Sequence, residues 1–258
     1  MKKFIIIPAR FKSSRLPGKV ILDLDGKSVI QRVYEQCSKV VGIEKVLIAI
    51  DHIEVEKVVK TFTNDYILTC SKHESGTDRI AEAIELLKDK YSIEDNDLII
   101  NVQGDEPMIE PLLIKELIDN FKEKDNMITA CHKIHFVNEL KNPNVVKVIK
   151  DNNSNAIYFS RSIIPHHRDE WESLLHHHEN IPEPLNFFRH LGIYGYRKSF
   201  LIDYSNMKQT YLERLEKLEQ LRVIENGYKI KIFVTEYNSI GVDTILDYEK
   251  IKNILEGN

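Results

Sequence analysis

The 258-residue chain is short of the features that define several protein classes. It has three cysteines, Cys37, Cys70 and Cys131, far apart and with no CxxC. An odd, scattered set supplies neither a disulfide framework nor a zinc cage. Each cysteine reads as a small core side chain in a reducing compartment. No apolar run approaches the roughly 18 residues that span a bilayer. The basic head Met1-Lys2-Lys3 leads into an apolar run that stops at Pro8. That run is too short for a signal peptide and predicts the first core strand of a cytoplasmic protein. Positive charge is not in excess: 36 Lys and Arg against 40 Asp and Glu leave a formal charge of −4, which argues against a general nucleic-acid binder. Walker and GxGxxG fingerprints are missing, the second of which argues against a conventional NAD-binding domain. There is no repeat, and no linker rich in Gly, Ser or Pro divides the chain, so residues 1–258 read as a single domain.

What is present is an alternation. Hydrophobic residues make up 42%, enough for a sizeable core. Phe4–Ile7, Val46–Ile50, Tyr66–Cys70 and Leu98–Val102 have the short apolar runs of buried strands. Between them Ser28–Val40, Asp78–Leu87 and Pro111–Phe121 carry apolar residues at helical spacing. This predicts an α/β fold with a mostly parallel sheet flanked by helices on both faces. The second half is less regular. Strands are predicted at Asn144–Ile149, Ala156–Ser160, Phe187–Tyr196 and Lys229–Thr235, and helices at Tyr211–Asn226 and Ile245–Leu255. His166–Pro184 reads as an irregular excursion.

In open parallel sheets, ligands bind beyond the carboxyl ends of the strands. Four polar loops follow the first four predicted strands. The first, Pro8 to Lys19, carries Arg10, Lys12, Arg15 and Lys19 and no acid. Several charge-assisted hydrogen bonds, each worth roughly 1.5–3 kcal/mol, can spread over a polyphosphate there. The others are Asp51-His52, Ser71 to Arg79, and Gln103-Gly104-Asp105-Glu106-Pro107. Asp105 is either a Mg²⁺ ligand, since hard oxygens suit that ion, or a turn former. Asp243, in Gly241-Val242-Asp243-Thr244, is either a second such carboxylate or the N-cap of the last helix. His166, His167, His176, His177 and His178 fit no metal spacing and read as a solvated or partner-facing loop. His190 is either a structural hydrogen-bonder or a cleft residue near Tyr194 and Tyr196.

The ordered motifs resemble a known family. Ile7-Pro8-Ala9-Arg10 with Ser14-Arg15-Leu16-Pro17-Gly18-Lys19 is similar to the signature loop of the sugar-acid cytidylyltransferases. Asn101 to Pro107, Phe159-Ser160-Arg161, Arg189 to Arg197, Leu218 to Arg222 and Gly241 to Thr244 resemble the branch that activates 3-deoxy-manno-octulosonate, Kdo. The resemblance runs from about Phe4 to the last helix. It implies a nucleotide-diphospho-sugar transferase-like (Rossmann-like) fold with an added second-half strand and helix region. Residues 130–226 would form the sugar-binding and dimerisation portion of a homodimer.

The resemblance implies the reaction CTP + Kdo → CMP-Kdo + diphosphate with Mg²⁺, for lipopolysaccharide biosynthesis. CTP and Kdo would be the partners, with no nucleic acid or membrane. Arg10 and Lys19 would bind CTP phosphates, assisted by Arg15. Pro8, Ala9, Ala49, Asp51, Ser75, Gly76, Arg79 and Gly104 would lie around the nucleotide. Asp105 and Asp243 would hold the metal. Gln103, Arg161, His190, Tyr194, Glu219 and Gln220 would face the sugar acid. Other readings are a cytidylyltransferase for 8-amino-Kdo or a sialic-type acid, and a non-catalytic nucleotide-binding scaffold. The family has proline after its Gly-Val-Asp-Thr where this chain has Ile245, which predicts a looser start to the last helix.

Overall fold

The computed structural model describes residues 1–13, 16–73 and 75–257. The strands are β1 (Lys3–Ala9), β2 (Asp23–Leu24), β3 (Lys27–Ser28), β4 (Lys45–Ile50), β5 (Tyr66–Leu68), β6 (Leu98–Asn101), β7 (Met127–Lys133), β8 (Lys147–Lys150), β9 (Ala156–Ser160), β10 (Phe188–Arg197) and β11 (Lys231–Val234). The helices are α1 (Val29–Ser38), α2 (Ile53–Val59), α3 (Gly76–Tyr91), α4 (Pro111–Asn120), α5 (Val137–Lys141), α6 (Trp171–His177), α7 (Lys198–Asn206), α8 (Tyr211–Glu216), α9 (Leu221–Glu225) and α10 (Ile245–Leu255). They fall into two compact units. The first comprises Met1–Ile118, Ile193–Ser205 and Ser239–Asn258; the second comprises Asp119–Gly192 and Asn206–Asn238.

In the first unit the sheet order is β10-β6-β1-β4-β5. β6, β1, β4 and β5 are parallel, and the end of β10 adds an antiparallel strand beside β6. Parallel strands covered on both faces need apolar side chains throughout. Phe4, Ile5, Ile6, Ile7 and Ala9 of β1 are accordingly all inaccessible to solvent. The chain runs from β1 through α1 to β4 and through α2 to β5, always to one side. Helix α3 then carries it back to β6 on the other side of β1. The connections leaving β1 and β6 therefore diverge, and a crevice opens at their carboxyl ends.

Two features finish that crevice. Gly104, just after β6, passes so close to β1 that a Cβ would lie 2.7 Å from the Pro8 carbonyl oxygen, so only glycine fits. The carboxy-terminal segment packs Val242 and Ile251 against Leu24 and Val29. Helix α10 starts firmly despite lacking proline. Thr244 caps it and exchanges hydrogen bonds with Asp247 in a capping box. Thr244, not Asp243, is therefore the cap.

In the second unit β11 pairs in parallel with β7, which neighbours β10; β8 lies antiparallel between the start of β10 and β9. The predicted helix Tyr211–Asn226 is broken into α8 and α9, with Lys217 left-handed at φ 56°. The cause is long-range. Glu213 and Arg222 are nine residues apart, so in one straight helix they would be about 13.5 Å apart along the axis and on opposite faces. Here they form a buried bidentate pair, with Arg222 Nε donating to Glu213 Oε2 at 2.8 Å. Sequence periodicity carries no sign of that fold-back. Nor did it predict β7, α2, α5, α7 or the short α6 within the histidine-rich stretch. Cys37 and Cys131 are buried as expected, but Cys70 is exposed at the mouth of a loop.

Removing one partner of a buried, forked ion pair strands the other charge and costs about 3–5 kcal/mol. Glu213→Ala should therefore destabilise the protein by roughly that amount in urea unfolding, and Glu213→Leu with Arg222→Met should recover most of the loss. A single variant within 1 kcal/mol of wild type, by the ~1 kcal/mol typical of ordinary substitutions, would mean that the pair does not hold the fold-back together.

Candidate active site

The basic loop starts where β1 ends. Asp51 Oδ1 accepts from the Phe11 backbone N–H at 2.9 Å, and the Phe11 ring stacks on His52 with centroids 4.3 Å apart. The Phe11 carbonyl in turn accepts from Gly18 N–H at 3.0 Å, drawing the ends of the loop together. Gly18 supplies the left-handed φ of 69° that this closure needs. Lys19 follows as the first residue of a 3-10 turn, and its side chain is directed by that turn.

Lys19 Nζ sits between two carboxylates, donating to Asp105 Oδ2 and, at 2.9 Å, to Asp243 Oδ1. Burial alone would lower the lysine's pKa; the charges of Asp105 and Asp243 outweigh it and raise the pKa above its ordinary 10.5. The two acids meet because the carboxy-terminal segment is stitched to the Asp105 loop. Val242 N–H donates to the Asp105 carbonyl at 2.8 Å, and Ser239 Oγ donates to Glu106 Oε2 at 2.6 Å.

Around this triad lies a cleft of about 340 Å³, lined by Pro8, Arg10, Lys12, Ser13, Lys19, Val20, Gly76, Gln103, Gly104, Asp105 and Asp243. Three cations and two carboxylates face one polar space. The amino terminus of α3 opens onto the same cleft at Gly76, capped by Ser75 Oγ accepting from Asp78 N–H at 3.0 Å. A helix amino terminus adds partial positive charge, so the setting suits an anion.

The remaining predicted nucleotide residues take supporting places. Ala9 and Ala49 are inaccessible inside β1 and β4. Arg79 is fully buried and does not line the cleft; its guanidinium donates to Asp51 Oδ2 at 3.0 Å and Thr69 Oγ1 at 2.6 Å. Burial lowers its pKa, opposed by Asp51. Asp51 thus joins α3 to the basic loop. Arg15 lies outside the described residues. Lys12, one of the four charges of the basic loop, lines the cleft, and so does Ser13, which the sequence does not single out.

Of the predicted sugar residues, Gln103 lines the cleft and Tyr194 pairs with Asn101 across β10 and β6, stacking on Tyr196 with centroids 5.8 Å apart. Arg161, His190, Glu219 and Gln220 belong to the second unit. Glu219 and the buried Gln220 occupy the turn between α8 and α9. His190 meets the Phe159 ring edge-on and contacts Thr129 Oγ1 at 3.0 Å. Since that hydroxyl donates to the Leu191 carbonyl, His190 Nε2 carries the proton and Nδ1 is an acceptor. Enclosure by protein, helped by Arg189, pushes the imidazolium pKa down to about 3. No cluster of three or more acid, histidine or cysteine side chains able to hold a metal occurs among the described residues.

A family model described as cytidylyltransferase matches residues 4–232. The 3-deoxy-manno-octulosonate cytidylyltransferase of Haemophilus influenzae (strain Rd) is 44% identical, over 98% of each chain. That of Geotalea uraniireducens is 43% identical, over 97% of this chain and 98% of its own. Among solved structures, a CMP:2-keto-3-deoxy-manno-octonic acid synthetase complexed with CTP superposes with a TM-score of 0.87 at 37% identity, covering 100% of this chain and 99% of that one. A 4-diphosphocytidyl-2C-methyl-D-erythritol synthase, TM-score 0.64 at 10% identity, shares the fold alone. With the match running nearly end to end in both directions, the chain belongs to the family of 3-deoxy-manno-octulosonate cytidylyltransferases.

Proposed function

We propose that the protein transfers the cytidylyl group of CTP to Kdo, giving CMP-Kdo and diphosphate. The observation that carries this reading is Lys19 held between Asp105 and Asp243 in a cationic cleft at the divergence of β1 and β6. The anomeric hydroxyl of Kdo attacks the α-phosphorus of CTP. An oxygen–phosphorus bond forms, the α–β phosphoanhydride bond breaks, diphosphate leaves, and the hydroxyl proton passes to solvent. Arg10, Lys12 and Lys19 offset the charge of the triphosphate and of the leaving diphosphate. The dipole of α3, ending at Gly76, adds to them. No covalent enzyme intermediate is needed.

Mg²⁺ fits this donor set. The structure already seats a cation, the Lys19 ammonium, between two hard carboxylates. Mg²⁺ is commonly held by one or two carboxylates together with substrate phosphates, so a third protein ligand is not required. Asp105 and Asp243 would hold it; when bound it supplies positive charge to the reacting phosphate. Arg161 would take the carboxylate of Kdo. His190, neutral at working pH, would accept a hydrogen bond from a sugar hydroxyl at Nδ1. No helix among the described residues is long and apolar enough to cross a membrane, in keeping with a cytoplasmic enzyme. The reading carries a homodimer with it; Tyr211 and Leu215, one turn apart on α8, are exposed apolar side chains that could serve it.

Diphosphate release with CTP and Mg²⁺ should be strong with Kdo and nearly absent with N-acetylneuraminate. Release favouring the sialic acid would replace the substrate, and CTP binding without release for any sugar acid would mark a scaffold. Asp105→Asn and Asp243→Asn should each lower kcat about 100-fold or more with the fold intact, the usual size for loss of one charge-stabilising group. Wild-type rates in either variant would take that carboxylate out of the reaction.

His190 gives a pH test. Its unfolded pKa is about 6.5 and its folded pKa about 3. Between these values the unfolded chain binds more protons, so stability rises with pH and is lost as pH falls below about 6.5. The penalty is at most about 2 kcal/mol near pH 5. His190→Gln, which keeps a donor for Thr129, should flatten the fall in Tm across this window; parallel curves would show that His190 protonates freely in the folded protein.

A further inference from the structure

The guanidinium of Arg161 has no carboxylate partner among the described residues. Among those residues it donates only to neutral oxygens: Nε to the Glu216 carbonyl at 2.9 Å and Nη1 to the Pro143 carbonyl at 3.1 Å. Those bonds use two of the five guanidinium N–H groups and fix the orientation of the plane. The rest are available to a carboxylate ligand.

The side chain of Glu216 shows the reverse pattern. It ends α8, next to left-handed Lys217, and makes no ion pair among the described residues. Its Oε1 accepts from Ser160 Oγ at 2.6 Å, and its Oε2 accepts from the Arg161 backbone N–H at 3.0 Å. Ser160 Oγ in turn accepts from Ser162 N–H at 3.0 Å. One carboxylate therefore fixes the chain on both sides of Arg161, while the carbonyl of the same residue fixes its guanidinium. The second tether is equally built. Lys147 is fully buried in β8, and its ammonium donates to the carbonyls of Asn142 at 3.0 Å and Val145 at 2.7 Å. Those two carbonyls flank Pro143, whose own carbonyl holds Arg161. Burial, reinforced by Arg161, lowers the Lys147 pKa, and Glu216 opposes the shift.

A carboxylate that served stability alone would pair with one of these two cations. Instead it holds the Arg161 backbone N–H and the hydroxyls of Ser160 and Tyr158, and the arginine is left with charge to offer. We propose that Glu216 is a positioning residue of the sugar-acid subsite, acting through Arg161 by presenting its guanidinium to the substrate carboxylate. This rests on Arg161 being the partner of that carboxylate.

The test is a kinetic cycle with Glu216→Ala, Glu216→Gln, Arg161→Ala and the double alanine variant, measuring KM for Kdo, KM for CTP and kcat. Glu216→Ala should raise KM for Kdo about 10- to 100-fold, the usual size when a supporting hydrogen bond to a binding group is lost. KM for CTP should change less than about twofold, within ordinary surface-variant effects. Glu216→Gln should recover most of the loss. Its amide oxygen can accept from Arg161 N–H while its NH₂ donates to Ser160 Oγ, because a serine hydroxyl works in either direction. The double variant should match Arg161→Ala alone, since Glu216 acts only through that residue. Additive losses, or equal rises in both KM values, would overturn the proposal and leave Glu216 a structural residue. If Arg161→Ala raises KM for Kdo but Glu216→Ala does not, the proposal fails alone; if Arg161→Ala leaves it unchanged, the assignment of Arg161 fails as well.

Discussion

The ammonium of Lys19 between Asp105 and Asp243 is the interaction around which the first unit is arranged. Its two acceptors lie 86 and 224 residues away along the chain. Two carboxylates brought this close repel each other and would separate without a cation between them. The folded protein supplies that cation from its own chain. The cost is a lysine partly removed from water, and the raised pKa shows that the two acids more than offset it. A site assembled in this way is charged and compact.

Everything near the triad serves to bring those three groups to one place. The divergence of β1 and β6 opens the crevice, and Gly104 lets the two loops approach to backbone contact. The Arg79–Asp51–Phe11 chain ties the start of the basic loop to α3, so the loop is anchored by a buried guanidinium and not by its own turn alone. Helix α10 and the segment before it pack on Leu24 and Val29, which is what carries Asp243 to the far side of Lys19. In the second unit the same logic recurs with opposite signs: a carboxylate and a buried lysine hold backbone carbonyls and amides so that one arginine keeps its charge available.

Much of this was legible in the sequence because it depends on local pattern. The apolar runs of β1, β4 and β6 mark buried parallel strands, and the polar loops after them locate the crevice. The basic loop stands out because it lacks acids in a chain of negative charge. The failures have a common physical origin in contacts between distant residues. Tyr211–Asn226 has the stripe of a single helix, yet the Glu213–Arg222 pair folds it back on itself. Asp51 and Arg79 read as groups facing a nucleotide, whereas they satisfy one another beneath the loop. Asp243 is indistinguishable from a helix cap until Thr244 is seen closing the capping box. Glu216 carries no motif that a single sequence reveals, because its carboxylate is held by the Arg161 backbone N–H and by the hydroxyls of Ser160 and Tyr158, more than fifty residues away.

On the proposed function, Lys19 and the two carboxylates would part when the nucleotide binds, the lysine turning to phosphate and the acids to the metal. A structure determined with CTP and Mg²⁺ tests this most directly. The account predicts Lys19 Nζ on phosphate oxygens and no longer bridging, with Asp105 and Asp243 both coordinating magnesium. Lys19 still clamped between Asp105 and Asp243, with the triphosphate and metal held elsewhere, would contradict it.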